Sequence, residues 1–293
     1  MSEAALSASG RRPRLDVDGV TPALNELTRM QKARGILRLV GFVLLTLLVI
    51  PVQWVFVKLK LPLRKSIPFR YHRIVARIMG MRVRVTGAIE GGGGVLVASN
   101  HISWLDIVSI STVGPISLIA KKQVDTWPFF GLLARLQETV YVERERRAKT
   151  AEQRDVIKDR LGQGDTIVLF PEGTSSDGNR VLPFKSALLS AAEGRIKDRK
   201  GGEKAIRVQP MSVAYTKIQG LPMNRDYRPF VAWYGDMDLI PHLLELFSLG
   251  AIDCEITVHP SMTVEQMGSR KALTVECERI ISESLSRSLA GRG

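Results

Sequence analysis

Two cysteines in 293 residues leave little room for cysteine chemistry. Cys254 and Cys277 are too far apart for a metal knuckle and no C-x-x-C occurs, so both read as reduced, packed thiols. Histidine is scarce as well, at four residues, which shortens the search for acid–base groups. No G-x-S-x-G occurs, which removes the strained serine elbow of an acyl-enzyme. The glycine run Gly91 to Gly94 lacks the G-x-G-x-x-G order and reads as a turn into a strand rather than a dinucleotide cradle. Internal repeats and a second domain boundary are also missing. No secretory signal is visible, because the first 35 residues are polar and no small-residue cleavage site follows the apolar stretch beyond them. The catalytic part is therefore expected to stay in the cytoplasm.

Positive charge, by contrast, is plentiful, with a formal net charge of +13. Residues 1 to 80 hold fourteen Lys and Arg against four acids, Glu3, Asp16, Asp18 and Glu26, so ten of the thirteen excess charges flank the most apolar segment. That placement favours an anionic membrane surface as partner over nucleic acid, for which no motif is present. The apolar segment, Leu39 to Val57, runs nineteen residues without a charge, roughly 28 Å as a helix, near the thickness of a bilayer core. Pro51 should break or kink it, and basic residues stand on both sides: Arg29, Lys32, Arg34 and Arg38, then Lys58, Lys60, Arg64 and Lys65. The expectation is a bent, re-entrant or interfacial anchor, with a spanning helix or a buried core helix as alternatives. This divides the chain into a mobile tail (1–30), a basic-flanked membrane anchor (31–80) and a catalytic domain (81–293).

After residue 80, β-rich runs alternate with helical patterns. Strands are predicted at Arg82 to Thr86, "VLVAS", "ISLIA", "TVYVE", "TIVLF", "IRVQPMSVAY", "FVAWY" and "CEITVH". Helices are predicted at Trp104 to Ser111, Phe129 to Gln137, Lys149 to Leu161, Ser186 to Lys197 and Ser269 to Leu289. The layout is α/β, a single mixed, largely parallel sheet flanked by helices.

Ligands in such folds gather at the carboxyl ends of strands, and two strand ends here run straight into polar residues: "VLVASNHISWLD" and "TIVLFPEGTSSDGNRVLPFKS". In the first, Ser103 and Asp106 have the spacing of a capping box, which would make Asp106 a helix-start device only. A five-residue spacing places two side chains about 140° apart on a helix, so a His101–Asp106 contact requires His101 to sit in the loop and fold back over the first turn. An acid would then hold one ring nitrogen and leave the other free as a base. In the second loop the residues are also good turn formers and Glu172 could face solvent. Alternatively, Glu172 would touch a polar ligand and the amides of Gly173 and Thr174 would receive an anion or oxyanion. His72, His242 and His259 read as packed or solvated.

Both loops together resemble the bacterial glycerolipid acyltransferase family, the 1-acylglycerol-3-phosphate O-acyltransferase type, over about Val83 to Val213. N-H-x-S-x-x-D is present as Asn100, His101, Ser103 and Asp106; an apolar strand ending in acid and arginine as "VYVER", with Glu143 where aspartate is commoner; F-P-E-G-T is intact at Phe170 to Thr174; an apolar strand with proline matches "VQPMSV". The resemblance implies that His101 is a general base oriented by Asp106, and that a lysolipid hydroxyl attacks the thioester of acyl-carrier protein or acyl-CoA. It implies no bound cofactor and no metal. Substrate contacts would come from Asn100, Ser103, Arg144, Glu172, Gly173, Thr174 and Ser175, with Arg180 and Lys185 nearby. Lys121 and Lys122, with Arg144, Arg146 and Arg147, form a landing site for the donor or merely a solvated face. Phosphatidate-forming members carry arginine where Ser175 stands, a residue suited to bidentate phosphate recognition. The stretch from Gly173 looks more like the branch that acylates lyso-ornithine lipid, with lysophosphatidic acid as the second acceptor. The implied location is the bacterial inner membrane, catalytic domain on its cytoplasmic face. A thioester hydrolase and a membrane-anchored basic scaffold are the rival classes.

Overall fold

The run Val95–Ser99 is buried at every position, and its side chains divide by parity. Val95 and Val97 enter one hydrophobic core, Leu96 and Ala98 a second. A strand covered on both faces reads as a continuous apolar run, which is why alternation is missing from it. Each fully buried Leu or Ile in these layers contributes about 1.5–3 kcal/mol relative to exposure.

The computed structural model describes residues 28–91, 94–142, 147–197 and 201–291. Its strands are β1 (Met81–Thr86), β2 (Val95–Ser99), β3 (Ser117–Lys121), β4 (Val140–Val142), β5 (Thr166–Leu169), β6 (Arg195–Lys197), β7 (Glu203–Ala205), β8 (Arg207–Ile218), β9 (Leu221–Pro222) and β10 (Ile252–Val258). Seven of them lie in the order β1-β10-β8-β2-β5-β3-β4, β9 pairs with β8, and β6 and β7 form a separate hairpin. Within the main sheet only the β10–β8 and β8–β9 pairings are antiparallel. Ala98 pairs with Leu169 and Ser99 with Met211. The carboxyl ends of β2 and β5 therefore finish side by side, with β8 continuing past them.

The helices are α1 (Arg29–Lys58), α2 (Ser66–Met79), α3 (Leu105–Ile110), α4 (Phe130–Leu136), α5 (Arg147–Gly162), α6 (Leu239–Ser248), α7 (Val264–Met267) and α8 (Arg270–Leu289). Residues of α2, α3 and α6 fill the first core, those of α5 and α8 the second. Val75, Ala76 and Met79 of α2 pack in the same core as the central strands. The segment 31–80 thus shares a hydrophobic core with the sheet.

Four expectations need correction. First, α1 runs unbroken through Pro51. Proline removes the bond to the carbonyl four residues earlier and crowds it; that carbonyl is Leu47's, and both residues lie on the outer, exposed side of the helix. Second, Arg34 and Arg38 do not reach for headgroups. Arg34 donates to Ser248 O at 2.6 Å and Arg38 to Leu249 O at 2.5 Å and Gly250 O at 3.2 Å, closing the open carbonyls where α6 ends. Gly35 sits at this crossing, where a Cβ would collide with Ser248 Oγ. Third, Ser186 to Lys197 is a 3-10 segment followed by β6 rather than one helix. Fourth, "FVAWY" is not a strand. The Val231 and Ala232 amides bond back to Arg228 O in a turn that includes Pro229.

Candidate active site

Beyond the end of β2 the chain leaves the ladder, and Asn100 continues it with a side chain. Its amide donates to Val213 O at 2.9 Å and accepts from Val213 N at 2.8 Å, so the loop starts clipped to β8. His101 follows, and its Nδ1 lies 2.8 Å from Asp106 Oδ2. A carboxylate only accepts, so Nδ1 carries the proton and Nε2 keeps a lone pair. Asp106 is fully buried. Its Oδ2 also accepts the Ile102 and Ser103 amides at 2.6 and 3.0 Å. Ser103 Oγ gives no bond in return and is buried without a partner among the described residues. The capping box is therefore half made, with the carboxylate turned toward the histidine.

The loop after β5 holds His101 from the other side. Glu172 Oε1 accepts the His101 amide at 2.7 Å, and its Oε2 accepts the Leu182 amide at 2.8 Å. His101 O in turn accepts the Ser176 amide at 2.8 Å. The Phe170 ring stacks on the imidazole with centroids 4.1 Å apart and planes at 16°. Gly173 makes the sharp turn after Glu172 with φ +77°, a conformation that favours glycine. The stretch misread as a strand is the third tie: Trp233 N donates to Ile102 O at 3.0 Å, and Ser175 Oγ donates to Trp233 O at 2.5 Å. Backbone, ring face and one ring nitrogen of His101 are thereby fixed, and Nε2 has no hydrogen-bond partner among the described residues.

That imidazole opens onto a cavity of about 820 Å³, within the range of small-molecule sites. Its walls are mainly apolar, with Val49 and Ile50 of α1, Val75 of α2 and Leu133 of α4 among them. Along α1 the lining runs from Phe42 to Gln53, about 16 Å at about 1.5 Å per residue. Gly173, Thr174 and Ser175 line it beside His101.

The sequence-predicted residues divide accordingly. His101 and Asp106 meet. Asn100, Ser103 and Glu172, expected to touch substrate, are 1%, 0% and 1% exposed, and the Asn100 and Glu172 side chains are hydrogen-bonded to backbone within the chain. Burial pushes the Glu172 carboxyl up to about 8, against the two amides that favour its anion. The Gly173 amide donates to Phe170 O at 3.1 Å, whereas the Thr174 amide has no acceptor among the described residues. Lys121 lines the cavity; Lys122 is paired with Asp125 at 2.8 Å. Arg180 and Lys185 are exposed and are not part of the cavity wall. Arg144, with Glu143 and Arg146, lies outside the described residues, as do the tail to residue 27 and the Arg147 side chain. The other histidines are packed: His72 against Gln137 at 3.1 Å, His242 between Trp104 and Phe230 O, His259 beside Ser212.

A family model described as acyltransferase matches residues 82–214, which include both loops and the first part of β8. A lyso-ornithine lipid O-acyltransferase of Brucella abortus (strain 2308) is 47% identical over 252 residues, 86% of this chain and 94% of that protein. The chain belongs to the acyltransferase family. A 1-acyl-sn-glycerol-3-phosphate acyltransferase of Neisseria gonorrhoeae matches this acyltransferase at 40% over 105 residues, 36% of this chain and 41% of the relative. The crystal structure of the 1-acyl-sn-glycerophosphate acyltransferase PlsC from Thermotoga maritima shares its fold, with TM-score 0.60 and 21% identity, covering 88% of this chain and 97% of that one. One partner of the acyltransferase site went unread in the sequence: Tyr215, whose hydroxyl donates to Asp106 Oδ1 at 2.8 Å. Strand parity was its signal, since Met211 and Val213, four and two residues before it, point into the same core.

Proposed function

We propose that this acyltransferase moves a fatty acyl group from the thioester of acyl-carrier protein or CoA to the hydroxyl of a membrane lysolipid, with lyso-ornithine lipid as acceptor. The observation that carries the reading is that His101, its Nδ1 held by Asp106 and its Nε2 without a partner among the described residues, lines a mainly apolar cavity. His101 Nε2 takes the hydroxyl proton as the acceptor oxygen bonds to the thioester carbonyl carbon. Asp106 stabilises the imidazolium that results. Collapse of the tetrahedral adduct breaks the carbon–sulfur bond, and the imidazolium returns its proton to the departing sulfur. The Thr174 amide is the donor available to the transient oxyanion. The acyl chain occupies the cavity between α1, α2 and α4, and Lys121, without an ion-pair partner among the described residues, contacts the anionic donor.

The acceptor assignment rests on Ser175 and on the Brucella relative's name. Ser175 Oγ is already committed to Trp233 O, which leaves no bidentate phosphate clamp at that position. The membrane contact is assigned to the outer face of α1, where Leu37, Val40, Leu44, Leu47, Leu48 and Val55 are exposed at helical spacing, with Lys32, Lys58 and Lys60 at the ends. Because the opposite side packs on α2, α4 and α6, the helix lies along the inner membrane surface rather than across it. The catalytic part is then on the cytoplasmic side, where the thioester donors are.

The test is acyl transfer by purified membranes carrying the protein, with labelled acyl-carrier protein as donor and the two lysolipids offered separately. Transfer to lyso-ornithine lipid is expected, falling by about 10² to 10⁴ in His101→Ala. Transfer to lysophosphatidic acid alone would overturn the acceptor. No His101-dependent transfer to either would overturn the reaction.

A further inference from the structure

Asp106 is an asymmetric carboxylate. Its Oδ2 takes three donors, the His101 Nδ1–H and the amides of Ile102 and Ser103. Its Oδ1 takes one, the Tyr215 hydroxyl at 2.8 Å. Tyr215 is 3% exposed and reaches Asp106 from β8, a strand outside both loops. A buried carboxylate oxygen left without its donor is costly. The three donors on Oδ2 already fix the orientation of the group, since pinning one oxygen holds the planar carboxylate about its Cβ–Cγ bond. The fourth, on the other oxygen, shares the negative charge that otherwise falls on the oxygen facing His101.

Resting on the His101 reading above, we infer that Tyr215 is a positioning residue for the reaction, acting through Asp106: its hydroxyl satisfies the buried Oδ1 and draws charge away from the oxygen that faces His101. The titratable groups around that carboxylate are His101 on its own loop, Tyr215 on β8, Cys254 on β10, paired in register with Tyr215, and Glu172 after β5. Burial and the Asp106 charge raise the Tyr215 hydroxyl well above its ordinary value, so it stays a donor. Cys254 is likewise raised by burial and stays a thiol. Ser109 Oγ stands 3.5 Å from the Tyr215 hydroxyl and donates to the backbone carbonyl of Asp106 rather than to Oδ1. Nothing else among the described residues donates to Oδ1.

Tyr215→Phe removes the hydroxyl alone. Asp106 then concentrates its charge on the imidazolium, and the sign is fixed by that: His101 holds its proton more tightly, so the acid limb of the kcat/KM profile moves to higher pH, by about half a unit. The expected change in kcat is a fall of about tenfold with KM for the lysolipid within twofold. A second variant keeps the side chain's shape: 3-fluorotyrosine placed at 215 is a stronger donor and should move the limb the opposite way. In the Asp106→Asn background, Tyr215→Phe should add nothing, because the two act as one unit. These assays use the full chain in membranes, with His101→Ala alongside. If His101→Ala is inactive while Tyr215→Phe and the fluorotyrosine protein keep the native limb, Tyr215 is only a core residue and the inference is wrong. If His101→Ala retains full transfer, the general-base reading itself has failed.

Discussion

Asn100 separates a substrate contact from a structural clip. Its side chain is 1% exposed and exchanges two hydrogen bonds with Val213. Asn100→Asp keeps the shape and the acceptor, and turns the donor into an oxygen facing the Val213 carbonyl. Two forms are open to the buried acid. As an anion it leaves that carbonyl unpaired, about 1–3 kcal/mol, and adds the cost of a poorly solvated charge. As a neutral acid it restores the bond but must hold a proton above its ordinary pKa, about 1.4 kcal/mol per pH unit. From a reference near 3.9 that is about 1.5 kcal/mol at pH 5 and about 5.6 at pH 8. The cheaper form sets the loss, so about 1.5 kcal/mol is expected at pH 5 and about 3–4 at pH 8. At about 2–4 °C per kcal/mol, the detergent-solubilised variant should melt roughly 6–16 °C below wild type at pH 8 and partly recover at pH 5. Native melting at pH 8 together with a raised KM for the lysolipid would refute the clip and return Asn100 to the acceptor site.

Two further expectations concern Glu172 and α1. The folded Glu172 carboxyl sits at about 8, above its ordinary 4.5, so the folded chain keeps a proton that the unfolded chain has released. Stability should be fullest below about 4.5 and decline as pH rises through about 8; Glu172→Gln should melt lower but with that slope removed, and an equal slope in both proteins would dismiss the assignment. Leu44 and Leu48 are 62% and 70% exposed, so Leu44→Glu with Leu48→Glu should leave melting unchanged. Flotation on anionic vesicles should drop at least about a hundredfold, given about 1.5–3 kcal/mol for each leucine; undiminished flotation would place the membrane contact elsewhere.

Much of the sheet was legible because its strands are short apolar runs between turn residues, and seven of the predicted ones align with β1, β2, β3, β4, β5, β8 and β10. "FVAWY" carried the same signal, yet it is buried by a turn: burial, not pairing, is what an apolar run reports. The helix α2 went unseen because its inner face is interrupted by His72 and its outer face is basic. The His101–Asp106 contact was readable from loop position and spacing. The burial of Asn100, Ser103 and Glu172 was not, since a polar residue beside a strand end looks the same in sequence whether it faces a ligand or the neighbouring backbone. Arg34 and Arg38 misled for a similar reason, as a cation near an apolar helix caps α6 here rather than meeting lipid.

The double role of α1, one side facing outward and the other walling the cavity, bears on how a finished lipid departs. Moving an acyl chain of about fifteen methylenes through water would cost on the order of 12 kcal/mol, at about 0.8 kcal/mol each. On the proposed placement of α1 against the bilayer, a chamber separated from it by the thickness of a single helix would let the chain pass from one apolar phase into another without being wetted. On the proposed membrane contact, the Arg38 bonds that tie α1 to the end of α6 hold in place the one helix between chamber and lipid.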